Sequence, residues 1–303
     1  MAAKILVSGS SGLLGAALLR ELKADGYQVV RLVHGTARGA DQIAWDPAQP
    51  LTPESVSGFE AVVHLAGESI ASRWTAAKKN AIRDSRVLGT SHLATALARA
   101  AQRPRVLISG SAIGFYGNRA DEFLREDSPS GSSGFLPEVC REWEAASQSA
   151  SKAGIRIVNL RTGIVLSSRG GALAKMLPPF RMGLGGKIGS GHQWMSWISL
   201  GDMTGAILHM LKNESLSGPV NCVSPNPVIN ADFTRTLGSV LSRPTIFPLP
   251  AFIAHMMFGQ MADELLLASQ RVEPVKLLAS GYRFQHPELK AALEGVLEKA
   301  LSS

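Results

Sequence analysis

Residues 5 to 15 read Ile-Leu-Val-Ser-Gly-Ser-Ser-Gly-Leu-Leu-Gly. A short apolar strand runs into Gly9, Gly12 and Gly15 in a GxxGxxG spacing, and an amphipathic helix follows. Leu14, Leu18 and Leu22 recur every four residues, so one stripe of that helix can pack on a sheet. The arrangement aims a helix N-terminus at whatever sits above the strand, and its free N–H groups and dipole suit a phosphate. Gly9 permits a tight turn, Gly12 the close approach of a pyrophosphate, and Gly15 close packing of helix on strand. Three glycines alone also fit a plain strand–loop–helix. The strand before, the helix after and the position near the N-terminus favour a dinucleotide site, with Gly9, Ser11, Gly12, Leu13 and Gly15 as its residues.

The chain has 303 residues, 45% hydrophobic and 18% charged, which is ordinary for a soluble globular protein of one or two domains. No apolar run reaches membrane-spanning length, and no secretory signal opens the sequence. Cys140 and Cys222 stand far apart and match no metal or redox spacing, so no metal is expected and a reducing cytoplasm is the simplest setting. The net charge of +7 is mostly dispersed. Its densest stretch, Arg73 to Arg86, places Lys79, Arg83 and Arg86 on one helix face, read as solvated. No nucleic-acid module or aromatic-interleaved basic patch is present.

Strand-like runs at Ile5–Ser8, Gln28–Val33, Ala61–Leu65, Arg105–Ser109 and Ile155–Leu160 alternate with helical patterns near 12–25, 75–101 and 135–153. This alternation predicts an α/β fold: a Rossmann-like, doubly wound parallel sheet covered on both faces. After residue 170 the alternation degrades into short helices, prolines and aromatics. Residues 1–170 are therefore expected to form the cofactor domain, its sheet completed by 198–225. Residues 171–197 and 226–303 are expected to form a smaller substrate lobe.

The end of the second strand selects the cofactor's ribose. A carboxylate there binds the 2′-OH of NAD, and a basic residue suits the 2′-phosphate of NADP. Here Val33, His34 and Arg38 occupy that end, and no carboxylate appears until Asp41. NADP is the expected cofactor, with Arg31 a less favoured partner. The third strand ends in Leu65-Ala66-Gly67-Glu68, small enough at its tip for an adenosine ribose to approach.

Further motifs extend the pattern: Trp45-Asp46, Arg73-Trp74, Ser85-Arg86, Gly117, Trp143-Glu144 and Arg161-Thr162-Gly163-Ile164-Val165-Leu166. They are joined by the run from Gly183 to Trp194, by Trp197-Ile198, and by Phe247-Pro248-Leu249-Pro250, Phe258-Gly259, Pro274 and Gly281-Tyr282-Arg283-Phe284. On these residues the whole chain resembles an atypical member of the extended short-chain dehydrogenase/reductase superfamily. It is of the nucleoside-diphosphate-sugar epimerase type, with a C-terminal module of unknown function. The resemblance implies an NADP site in which Leu65 and Ala66 line the adenosine side. Arg86 would replace the superfamily's usual asparagine, and Val165 would pass near the nicotinamide.

The resemblance also implies a Ser, a Tyr and a Lys four residues after the Tyr, working together in proton transfer. Ser111 occupies the serine position by sequence. Counting back from Glu144, the Tyr and Lys positions fall on Leu136 and Cys140, and no Tyr-xxx-Lys occurs anywhere in the chain. Tyr116 is a candidate substitute, although a structural Tyr-Gly often stands there. Glu138 and Glu142 read as solvated carboxylates, Cys140 as packing, and Asp202 as a helix N-cap. The glycine-rich stretch 181–197 reads as the lid or wall over the substrate crevice, with Trp194 and Trp197 at least partly core.

Two functions follow. One is an NADP(H)-dependent oxidoreductase or epimerase acting on a small polar molecule such as a sugar nucleotide, as a monomer or homodimer. The other is a non-catalytic NADP(H)-binding redox sensor.

Overall fold

In the computed structural model, which describes residues 2–301, seven parallel strands form one sheet. They are β1 (Lys4–Ser8), β2 (Gln28–His34), β3 (Gln42–Trp45), β4 (Ala61–His64), β5 (Val106–Ala112), β6 (Arg156–Thr162) and β7 (Gly218–Cys222). Their order is β7-β6-β5-β4-β1-β2-β3, so the direction of winding reverses between β1 and β4. In an open α/β sheet the ligand crevice lies at that reversal, outside the carboxyl ends of the strands.

Alternate strand residues face opposite layers. Ile5, Val7, Val63 and Ile108 pack with Leu18 and Leu22 of α1 (Leu13–Ala24). Leu6, Val62 and Leu107 pack with Leu93 and Leu97 of α2 (Ala76–Arg99). Burial of both faces is why these strands read as near-continuous apolar runs. The expected helix 135–153 is two: α3 (Phe135–Ala145) and α4 (Gln148–Lys152). Between them the Ser147 hydroxyl donates to the Glu144 carbonyl (2.8 Å), a local bond that competes with helix continuation. β3, which the sequence pattern did not signal, is a short edge strand, pinned by Trp45 in the core and by an Arg31–Asp41 ion pair (2.9 Å).

Helix α5 (Gly171–Arg181) precedes α6 (Leu200–Lys212), which packs beside α1 on the sheet through Ile207 and Met210. Asp202 is not the α6 N-cap. Ser199 caps the helix, and Asp202, three residues on, receives the Ser199 hydroxyl (2.8 Å) and the N–H groups of Gln285 (2.6 Å) and His286 (3.1 Å). α7 (Asn230–Leu241) packs with α5 around Trp197 and Phe233. After α8 (Ala251–Phe258), a π-helical turn spans Ala262–Leu266. α9 (Val275–Ala279) inserts Leu277 into the sheet's own core, so the C-terminal segment is stitched to the first domain. α10 (Leu289–Leu301) closes the chain, and among the described residues no helix is long and apolar enough to cross a membrane.

Candidate functional site

The glycine turn has the expected form. Gly9 has φ +68°, a left-handed conformation that suits glycine, and a Cβ there would stand 2.6 Å from the Leu65 carbonyl carbon. A Cβ on Gly15 would stand 2.1 Å from the Gly9 oxygen. Gly12 differs: its only close neighbour would be the Gly9 oxygen at 3.3 Å, so the space in front of it is open. Gly12 caps α1 with no side-chain hydrogen bond, which leaves first-turn N–H groups as free donors. A pyrophosphate fits such a cradle. Ser11 is exposed, and Leu13 packs beside Gly170 and Gly171.

At the end of β2, Val33 is half-buried, and His34 and Arg38 are exposed with no acidic partner among the described residues. Arg31 is held by Asp41, which removes it from the ribose and neutralises the nearest carboxylate. Leu65 and Ala66 are positioned from below: both N–H groups donate to the Ser8 hydroxyl (3.2 and 3.3 Å), which lies 2.6 Å from His64 Nδ1. His64 Nε2 meets the Thr90 hydroxyl (3.1 Å), which also accepts from Trp143 Nε1 (3.0 Å). With Ser8 already accepting two N–H bonds, its hydroxyl donates to Nδ1 and Nε2 carries the proton, a tautomer assigned from the network. Burial pulls the His64 pKa down to about 4, so the ring is neutral. This relay was not anticipated; its one sequence signal is a histidine ending an all-apolar strand.

Glu68 and Lys78 form an ion pair. The Arg86 guanidinium lies 5.0 Å from the Trp143 ring and 3.2 Å from where a Gly67 Cβ would stand, and it donates to the Glu68 carbonyl (2.9 Å). Val165 is half-buried on the strand Ile164–Leu166, paired with Ile198. The face carrying Lys79, Arg83 and Arg86 is only partly solvated. Arg83 pairs with Glu138 (2.7 Å) and Glu142 (3.2 Å), and Lys79 lies over Phe135, so α2 and α3 dock through these charges.

The wall between β5 and α3 departs most from expectation. Opposite Leu136 stands Gly114, whose Cβ would be 3.1 Å from that side chain. One turn on, Cys140 receives a backbone hydrogen bond from Ala112, and burial pushes its thiol up to about 12. Another turn on, Glu144 accepts the Ser111 hydroxyl (2.7 Å) and both arms of Arg161 (2.8 and 3.0 Å). Eight helical residues separate Leu136 from Glu144, roughly 12 Å. Ser111 is therefore buried in the wall, with its hydroxyl donating to the Glu144 carboxylate. Tyr116 is also unavailable. It is fully buried, its hydroxyl lies within bonding distance of the Arg125 carbonyl (2.9 Å), Asn221 Oδ1 (2.7 Å) and Arg161 Nη1 (3.0 Å), and burial pushes it up to about 12.

Beside Gly114 and Leu136 a cavity of about 320 Å³ opens between the first domain and the C-terminal segment. Asp263, Glu264 and Gln270 line it from one side, and the loop 131–134 from the other. Glu264 reaches across to accept the N–H groups of Phe135 (3.0 Å) and Leu136 (2.7 Å), capping α3, which has no side-chain cap of its own. His255 pairs with Asp263 (3.0 Å). No sequence signal pointed to these residues, because they sit on a π-turn far along the chain. The glycine run 183–191 is not a free lid: Gly186 packs directly on the Phe247 backbone, and Leu249 N–H donates to Lys187 O (2.8 Å). Trp197 is core, and Trp194 is half-buried. Among the described residues no His, Cys, Asp and Glu cluster forms a metal site.

A parallel sheet reversing at β1/β4, with a glycine cradle above the reversal, defines a Rossmann-like dinucleotide-binding protein. The chain belongs to the NAD dependent epimerase/dehydratase family, whose model matches residues 5–222; residues 249–296 match a domain of unknown function, DUF1731. It is 41% identical over 293 residues to the epimerase family protein Mb2239 of Mycobacterium bovis, covering 96% of each chain. It is 39% identical over 298 residues to the epimerase family protein SDR39U1 of Bos taurus, covering 97% of this chain and 99% of the relative. The crystal structure of human SDR39U1 with NADPH superposes with a TM-score of 0.89 at 36% identity, covering 97% of this chain and 99% of that one.

Proposed function

We propose that the protein binds NADP(H) across the β1/β4 reversal and exchanges a hydride with a small polar substrate held at the junction with the C-terminal lobe. The observation that carries the cofactor half is the end of β2, where His34 and Arg38 stand exposed and Asp41 is neutralised by Arg31. Gly9, Ser11, Gly12, Leu13 and Gly15 hold the pyrophosphate in this reading. Val33, His34 and Arg38 meet the 2′-phosphate, and Leu65, Ala66, Gly67 and Glu68 line the adenosine side. Arg86 and Val165 border the nicotinamide half. The human relative crystallised with NADPH supports the choice of cofactor. Bound nicotinamide supplies or accepts the hydride, and the chain's own residues orient the partner and exclude water. A cytoplasmic setting goes with this reading.

A charge-assisted contact to phosphate contributes about 1.5–3 kcal/mol, roughly ten- to a hundredfold in affinity. NADPH should therefore bind more tightly than NADH in a nicotinamide fluorescence titration, and Arg38→Ala should narrow the gap. Equal affinities would sink the assignment.

The rival, a non-catalytic NADP(H) sensor, draws on one observation: where β5 meets α3, Gly114 and Leu136 offer no proton donor, and burial makes the Cys140 thiol a weak one. Transfer of deuterium from C4-labelled NADPH into any carbonyl product separates the two. No transfer with any substrate, alongside tight NADPH binding, favours the sensor.

A further inference from the structure

We infer that the junction cavity receives a small, uncharged polyhydroxylated molecule, and that it excludes a nucleotide sugar's diphosphate. This rests on the proposed cofactor site and names the substrate class it would act on. The inference comes from the polar groups the cavity presents. Two carboxylates, Asp263 and Glu264, line it, and each still has lone pairs after meeting His255 and the α3 N–H groups.

The cation lining the cavity, Arg119, is already paired: it donates to Glu122 through two nitrogens and to the Pro129 carbonyl (3.1 Å) through the third, so its charge is balanced by a carboxylate. An anionic diphosphate would therefore face Asp263 and Glu264 in a site whose lining cation, among the described residues, is already paired with Glu122, and it would lose hydration with little compensation. Hydroxyl groups meet the opposite situation. Ser132 and Ser133 offer free hydroxyls, and Asn118 has a free amide N–H₂, because only its oxygen is engaged, by Ser269 N–H (3.1 Å). Gln270 is held through its amide nitrogen on the Gly117 carbonyl (3.1 Å), which leaves its oxygen as an acceptor. Leu136 and Pro137 provide an apolar wall against which the C–H face of a ring can pack. Donors, acceptors and one apolar face, with the lining cation Arg119 already paired, match a free sugar or polyol. At about 320 Å³ the cavity lies at the small end of ligand sites.

Calorimetric titration of the NADP⁺-loaded protein with D-glucose, D-galactose and myo-inositol, set beside UDP and UDP-glucose, tests this. At least one of the three free polyols should bind saturably, and UDP should neither bind nor compete. Ser133→Trp, on the exposed rim, should lower polyol affinity by about tenfold or more while NADPH binding is unchanged. Ala268→Trp, which fills the cavity from the other wall, provides the same readout should the first variant fold poorly. Binding of UDP or competition by it overturns the inference, as does the failure of all three polyols on a protein that binds NADPH. A protein that bound a polyol but not NADPH would overturn the cofactor reading and leave the cavity assignment standing.

Discussion

The β1–α1 turn and the β5–α3 wall lie at the same end of the same sheet, yet they differ in what determines their residues. In the turn, backbone meets backbone, and glycine is demanded at Gly9 and Gly15 by contacts of 2.6 and 2.1 Å that a Cβ would make. At the wall, side chain meets side chain. There Leu136 on Gly114, Cys140 on Ala112 and Glu144 on Ser111 form a ladder that many residue pairs could fill. A turn constrained by the backbone keeps its sequence signature whatever the chemistry. A wall made of side chains is free to exchange a proton-transfer set for packing, and here it holds a neutral thiol, a leucine and a buried ion pair.

The largest test of this contrast is Gly15→Ala. In a helix, alanine is ordinarily favoured over glycine by about 1 kcal/mol. Here the overlap with the Gly9 oxygen should reverse the sign and cost about 3–5 kcal/mol, read as a lowered urea midpoint. A neutral or stabilising outcome would show that the turn has room to shift, and the contrast would fail. Next comes acid. Burial holds His64 at about 4 against 6.5 in the unfolded chain. As pH falls, the unfolded chain takes up the proton first, so this contribution is full above about pH 6.5 and fades towards pH 4. The loss approaches about 3 kcal/mol. Urea midpoints from pH 7 to about pH 4.5 should fall for the native protein and fall less for His64→Asn. A parallel pair of curves would remove His64 from the account.

Gly12→Val sharpens the same comparison from the other side. The protein itself leaves space in front of Gly12, so the fold should tolerate the branched side chain, with Tm moved by a few degrees at most. The proposed pyrophosphate needs that space, so NADPH affinity should fall by about a hundredfold or more. A folded variant that binds NADPH normally would relocate the phosphate site.

The fold was legible because its signals are local. Glycine spacing, apolar runs and a leucine stripe each follow from one element's own geometry, and β1, β2, β4 and α1 appear within a residue or two of where the pattern put them. β3 was missed because a four-residue edge strand of mixed polarity carries no periodicity. The glycine turn of the candidate site was legible for the same local reason. The junction cavity was not, since Glu264 caps a helix that begins 129 residues earlier in sequence, and no spacing rule connects the two. Ser111 shows where a local signal and the surrounding packing diverge. Its neighbours in sequence matched a catalytic serine, while β-strand alternation pointed its hydroxyl at Glu144 and Arg161.

The smallest expected effect settles that last point. Ser111→Ala removes one charge-assisted hydrogen bond, but Glu144 keeps both bonds to Arg161, so stability should fall by only about 1–2 kcal/mol. Any hydride transfer found with NADPH should proceed at an unchanged rate, because the Ser111 proton is already committed to Glu144 some two helical turns from Leu136. A catalytic serine would behave otherwise: losing a positioned proton-transfer group typically costs about 10²–10⁴ in rate. Stopped-flow deuteride transfer on the two proteins, at matched folded fraction, distinguishes the outcomes. A drop of that size would return Ser111 to the active site and require α3 to move towards the crevice when substrate binds.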